Sequence, residues 1–191
     1  MSFLRRLFGG SADPGPGAPA DVPGNRPASA ADTATVRRIV ADLEALPVDR
    51  ARFVAASAYV LARIANADLR MSDTETAFME QAVQAGADIS EAEAVLVVES
   101  AKQQARLFGS TEDFLVTREF LKISSPEDRS RLLRGCFLAA AADESISSAE
   151  SAALNEIAGE LQIPATELGA LREEFGDRMS VVQAIRAYRE A

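Results

Sequence analysis

Apolar residues recur at helical spacing along most of the chain from Val36 onward. Val36, Ile39, Val40 and Leu43 fall on one helix face, and the run stops at Pro47. A second helix is expected after Asp49, with Phe53, Val60 and Ile64 on one side. A third follows Ser72 and carries Phe78, Ala82 and Val83. A fourth follows Ser90, with Val95, Val98, Ala101, Ala105 and Phe108. A weaker pattern of Phe114, Leu115, Phe120 and Leu121 predicts a separate fifth helix. Pro126 suits a first helical position and opens a sixth, with Leu133, Phe137 and Ala140. Leu154, Ile157, Ala158 and Leu161 mark the next. The last two hold Leu168, Leu171 and Phe175, then Val181, Val182, Ile185 and Tyr188. No segment alternates with period two over a strand's length. The expected class is all-α, a helical bundle with short loops and mostly antiparallel neighbours.

The pattern fails before residue 33. From Gly9 to Asp32 the chain holds five of its eight prolines and five of its eleven glycines. Such a segment buries too little to offset the entropy of ordering, so a disordered linker is expected over 9–32. Residues 1–8 differ again. On a helix, Phe3, Leu4, Leu7 and Phe8 share a face, with Arg5 and Arg6 beside it. This segment reads as a hook for anionic lipid or a partner groove, or as a frayed terminus. It is too short to be helical alone in water, so a helix would form only on binding. The expected organisation is a short amphipathic segment (1–8), a linker (9–32) and a helical domain (33–191).

Composition narrows the function. Hydrophobic residues make up 48% of the chain and are rich in Ala, which implies close helix contacts. The net charge of −9 comes from 20 basic and 29 acidic residues. Arg5, Arg6 and Arg26 offset Asp13, Asp21 and Asp32, so all of it falls on the rest of the chain. That argues against nucleic acid, whose binding rests on Lys and Arg at phosphates, and favours cations or basic partners. Trp is absent and aromatics are 6%, so stacking surfaces are scarce. There is no histidine, which removes the commonest general base and imidazole–zinc sites. The single cysteine, Cys136, lies in an apolar run and reads as a small buried hydrophobe. Arg5 and Arg6 break the apolar N-terminal stretch, so no secretory signal is expected, and no stretch approaches a membrane span. The expected location is the cytoplasm, or peripheral to the inner face of the membrane through the hook.

The most informative feature is an internal repeat. Ala65-Asn66-Ala67-Asp68-Leu69-Arg70-Met71-Ser72-Asp73-Thr74-Glu75 corresponds to Ala140-Ala141-Ala142-Asp143-Glu144-Ser145-Ile146-Ser147-Ser148-Ala149-Glu150. Both Asp68/Asp143 and Glu75/Glu150 are related by one offset of 75 positions. Apolar helices flank both copies, and a one-residue gap then aligns Ile89…Glu93 with Ile163…Glu167. Two helix–loop–helix units related by a pseudo-twofold axis are expected. Ser72…Glu75, Ser90…Glu93 and Ser147…Glu150 each fit a capping box, a structural reading for Glu75 and Glu150.

Asp68 and Asp143 fall where helices should end, against the negative end of the helix dipole. A neighbouring helix N-terminus, a basic side chain or a cation should compensate. Arg63 and Arg70 lie near the first loop, whereas no Lys or Arg lies between Arg134 and Arg172 around the second. Asp68, Glu75, Asp143, Glu144 and Glu150 are therefore candidate ligands for a hard divalent ion, Ca²⁺ or Mg²⁺. The second loop is the stronger candidate, and a solvated acidic face is the alternative.

An Ala-rich helix ending in Ala-Asp, a short turn, an Ile/Met-Ser step and a Glu that opens an amphipathic helix resembles the TerB (tellurite-resistance) family. The family's second turn resembles Asp88-Ile89-Ser90-Glu91-Ala92-Glu93 in one copy and Gln162-Ile163-Pro164-Ala165-Thr166-Glu167 in the other. The resemblance spans about Arg50 to Phe175. Where the family carries Gly after Asp, this chain has Leu69 and Glu144, so a tight left-handed turn is less easy. The resemblance implies a bacterial stress-associated helical module, linked to tellurite and envelope stress, with an acidic surface proposed to bind metal. The N-terminal region of a membrane-anchored DnaJ-type co-chaperone looks similar too, but a J-domain needs a His and this chain has none.

Three classes of function follow. The first is a non-enzymatic interaction module with a protein partner. The second is a divalent-cation sensor using the two Asp/Glu loops. The third, an enzyme, lacks a Gly-rich phosphate loop, a Ser/His or Cys/His pair and zinc spacing.

Overall fold

In the computed structural model, residues 41–67, 72–87, 89–143 and 145–190 are described. The hook and linker, the helix start at Val36–Val40, and Asp68, Leu69, Arg70, Met71, Asp88 and Glu144 lie outside them. The chain divides into two compact units, Met1–Leu46 and Pro47–Ala191. In the first, residues 41–45 are helical and the Leu46 N–H bonds to the Leu43 carbonyl at 3.3 Å, closing the element before Pro47 as the periodicity predicts.

The second unit is all-α. Its elements are α1 (Val48–Ala65), α2 (Asp73–Ala87), α3 (Glu91–Ile123), α4 (Pro126–Ala140), α5 (Ser148–Glu160), α6 (Ala165–Glu174), a 3₁₀ turn (Gly176–Arg178) and α7 (Ser180–Glu190). Among the described residues no strand forms, and β pairing is limited to an isolated bridge between Ile146 and Met179.

The core is built around α1. Eight consecutive residues, Ala58 to Ala65, are buried, so this half of the helix is covered on every side. Its alanines admit α2, α3, α4 and α5, and α3 packs against it most extensively. Phe53 meets Phe120 of α3 at 5.2 Å between ring centroids, and Phe137 of α4 meets Phe175 at 5.4 Å. Cys136 is fully buried, and burial pushes its thiol pKa up to about 12, as expected of an inert hydrophobe.

The expectation of two separate helices over Val95–Phe108 and Phe114–Leu121 is corrected. They are one continuous helix of 33 residues, α3, about 50 Å long. Gly109 and Ser110 weaken the local signal, but a helical Gly costs only about 1 kcal/mol and no Pro is present. Packing of α3 along α1 outweighs that cost.

Helix starts follow the Ser-x-x-Glu signals. Ser90 Oγ accepts the Glu93 N–H at 3.3 Å, and the Ser90 N–H donates to Glu93 Oε2 at 2.6 Å. A further box, Ser125 with Asp128, caps α4 ahead of Pro126. The shorter Asp side chain closes it as Glu does elsewhere, so a search for Glu or Gln passes it by.

Candidate functional site

The two acid-bearing loops share local geometry wherever both are described. The Asn66 N–H bonds to the Ala62 carbonyl at 3.0 Å; 75 positions on, the Ala141 N–H bonds to Phe137 at 3.0 Å. The Ala67 N–H bonds to Ile64 at 3.0 Å, and the Ala142 N–H to Ala139 at 3.1 Å. After each loop the expected capping box forms. The Ser72 N–H donates to Glu75 Oε2 at 2.6 Å and the Glu75 N–H to Ser72 Oγ at 3.1 Å. The matching distances at Ser147 and Glu150 are 2.7 and 3.2 Å. Glu75 and Glu150 are buried, 2% and 4% exposed, so each carboxylate is withdrawn from water onto its cap.

Asp143 is exposed, and among the described residues it makes no hydrogen bond or ion pair. Water itself therefore screens its contact with the end of α4. Asp68 and Glu144 lie outside the described residues. Among those that are described, no group of three or more Asp, Glu or Cys side chains is arranged to hold a metal ion.

Arg63 does not have the place expected of it beside the first loop. Its side chain is 6% exposed and turns to α3 and α5. Nη1 donates to Glu160 Oε2 at 2.6 Å and to Thr117 Oγ1 at 2.8 Å; Nη2 donates to Glu160 Oε1 at 3.2 Å. Nε lies 3.3 Å from Asp113 Oδ2, and Glu156 is 4.0 Å from Nη2. The Tyr59 hydroxyl donates to Asp113 Oδ1 at 3.0 Å. Burial alone would lower the Arg63 pKa; Glu160, Asp113 and Glu156 outweigh it and hold the pKa above its ordinary value. For Asp113 burial wins, and its pKa is raised despite Arg63 and Tyr59. Both values are raised, which favours the charged form of Arg63, held by its bidentate partner Glu160, and the neutral form of Asp113.

Motif reasoning missed this cluster. One signal was available: Arg63 interrupts Val60-Leu61-Ala62 and Ile64-Ala65, where every helix face is apolar. A charge in such a run needs a partner. Which partner cannot be read from sequence, since Asp113 and Glu160 lie 50 and 97 positions away.

Beside the cluster runs an open groove of about 700 Å³, lined by Ala105 and Leu107 of α3, Ala149, Ala152 and Ala153 of α5, and the Arg63, Asp113 and Glu156 side chains. Leu107 is 68% exposed.

An all-helical unit with Ser-x-x-Glu caps after its Ala-rich helices defines a small helical module. The family model described as Tellurite resistance protein TerB matches residues 54–173, and the chain belongs to this family. The match covers α1 from Val54 through to Glu173 in α6, and so both loops. No curated protein and no solved structure matches the chain.

Proposed function

We propose that this TerB-family chain is a non-enzymatic interaction module in a bacterial tellurite- or envelope-type stress response, binding a protein partner through an acidic helical surface. The observation that carries this reading is the groove between α3 and α5. It combines small side chains and an exposed leucine with two carboxylates (Asp113, Glu156) and two arginines (Arg63, Arg106), and Arg63 is already engaged by Asp113, Glu156 and Glu160. A partner segment with a small apolar face and basic side chains suits it. The module works in the cytoplasm, and Phe3, Leu4, Leu7 and Phe8 supply contact with the inner face of the membrane. Among the described residues no helix is long and apolar enough to cross one.

The test uses the full chain as bait in a native bacterial lysate. Ala152 is exposed, so Ala152→Arg fills the groove without disturbing the core. The partner should be captured by the unmodified chain and lost with Ala152→Arg. Deleting residues 1–10 should move the protein out of the membrane fraction. Unchanged capture and fractionation reject the reading.

A divalent-cation sensor is the second reading, favoured by the exposed Asp143 carboxylate, which makes no hydrogen bond or ion pair among the described residues. Ca²⁺ or Mg²⁺ would bind first at Asp143, Glu144 and Glu150, and more weakly at Asp68 and Glu75. Calorimetric titration should show heat that Asp143→Asn removes more completely than Asp68→Asn. Equal losses refute the order, and no heat in the unmodified chain refutes the sensor.

A further inference from the structure

A second cleft, of about 420 Å³, opens where the loop before α5 meets the start of α7. Its lining differs from that of the groove between α3 and α5, which carries both acids and arginines. Its lining includes Arg172 of α6 and the serines Ser147, Ser148, Ser151 and Ser180, and none of the lining residues is acidic. Arg172 is the one arginine here, and it has no carboxylate partner among the described residues. Nη2 donates to Ser151 Oγ at 3.0 Å, while Nε is fully buried with no hydrogen-bond partner. A buried guanidinium donor without an acceptor is costly and uncommon.

The backbone adds donors to the same cleft. At the start of α5 the capping box satisfies the amides of Ser147 and Glu150 but leaves that of Ser148. At the start of α7, Ser180 donates to the Ile146 carbonyl at 3.0 Å and Gln183 to Met179 at 3.0 Å. The amides of Val181 and Val182 have no partner among the described residues, and both residues line the cleft. The bridge of Ile146 to the α7 segment holds the two helix starts together. Two helix N-termini, an arginine without a counter-charge and a rim of hydroxyls thus converge on one opening, each favouring negative charge.

We propose that this cleft binds a phosphate-type tetrahedral oxyanion. Arg172 supplies the charge, the amides of Ser148, Val181 and Val182 supply directed hydrogen bonds, and the serine hydroxyls complete the shell. The site is separate from the groove between α3 and α5. It gives a chain of net charge −9 a local place for an anion.

The experiment is an amide NMR titration of the full chain with inorganic phosphate, with sodium chloride at matched ionic strength as control. Phosphate should shift the amides of Ser148, Val181 and Val182, and chloride should not. Arg172→Gln should weaken binding about tenfold or more, as expected for loss of a charge-assisted contact. Because Arg172 also touches Ser151, a second variant guards against misfolding. Ser148→Pro deletes an amide and a hydroxyl at a first helical position that tolerates Pro, as Pro126 does in α4. It should weaken binding while leaving Tm nearly unchanged. Equal shifts with chloride, shifts centred elsewhere, or full affinity in a folded Ser148→Pro chain overturn the proposal.

Discussion

Position 63 in α1 and position 138 in α4 are related by the same 75-residue offset as the two loops, yet their surroundings are opposite. Arg63 is charged and buried; Leu138 is apolar and 37% exposed. One turn earlier the pair is Tyr59, buried against Asp113, and Arg134, which is exposed and pairs with Glu174 at 2.5 Å. One stripe of the helix is therefore covered in the first half of the chain and open in the second. The reason is length. After α2 comes α3, whose residues 113 and 117 lie more than twenty positions past its start and roof the Tyr59/Arg63 stripe. After α5 comes α6, which ends at Glu174 and reaches no further than Arg134. Related local sequences thus acquire different roles from whatever lies over them.

The largest expected effect tests this contrast. Arg63→Met removes the cation from the buried end of α1 and leaves the part-buried carboxylates of Asp113 and Glu160 without it. It should cost about 3–5 kcal/mol, the range for breaking a buried pair from one side. Leu138→Arg, which places the same residue type at the matching position, should stay within about 0.5 kcal/mol. Urea denaturation of both variants decides the matter. Similar losses would mean the two stripes are equally covered.

The caps should behave alike where the stripes do not. Ser72→Ala and Ser147→Ala each delete the acceptor of one helix-start amide beside a buried glutamate. Each should cost about 1 kcal/mol, and the two values should agree within a few tenths. A marked inequality in thermal melts would show that the two loops are not equivalent.

The turns after α2 and α5 offer a smaller contrast. Ser90 caps α3 with a full box, whereas α6 starts at Pro164 without a side-chain cap. That turn is made from the α5 side. Gln162 takes a left-handed φ of 57°, its N–H bonds to Gly159 at 3.1 Å, and the Ile163 N–H reaches Ala158 at 2.9 Å. A side chain at positive φ is strained, so Gln162→Gly should stabilise by about 0.5–1 kcal/mol, the left-handed cost less the unfolded-chain entropy of Gly. A lower Tm would show that the Gln162 side chain contributes more than its backbone strain.

The smallest effect is in pH dependence. Burial raises the Asp113 pKa in the folded chain above its ordinary 3.8, so the folded state binds this proton more tightly than the unfolded chain. Asp113 thus favours folding most at low pH, and that contribution falls as pH rises through the window opening at 3.8. Subtracting the stability of Asp113→Asn from that of the unmodified chain should isolate this falling slope. A rising difference would mean that pairing with Arg63 outweighs burial.

What the sequence determined by itself was local. Periodicity placed the helices, and Ser-x-x-Glu placed the caps of α2, α3 and α5, because these depend on residues within four positions of one another. The 75-residue repeat and the TerB resemblance were legible because they too are strings of neighbours. The same locality misled at Gly109–Ser110, where a weak stretch of helix is held by packing on α1. It also hid the partners of Arg63 and the cleft at Arg172. Burial and charge pairing are set by which distant elements lie on top of a residue, here the length of α3 and the return of α7 to Ile146. Only the tertiary structure decided those, because a side chain's cost in a low-dielectric site depends on atoms fifty to a hundred residues away.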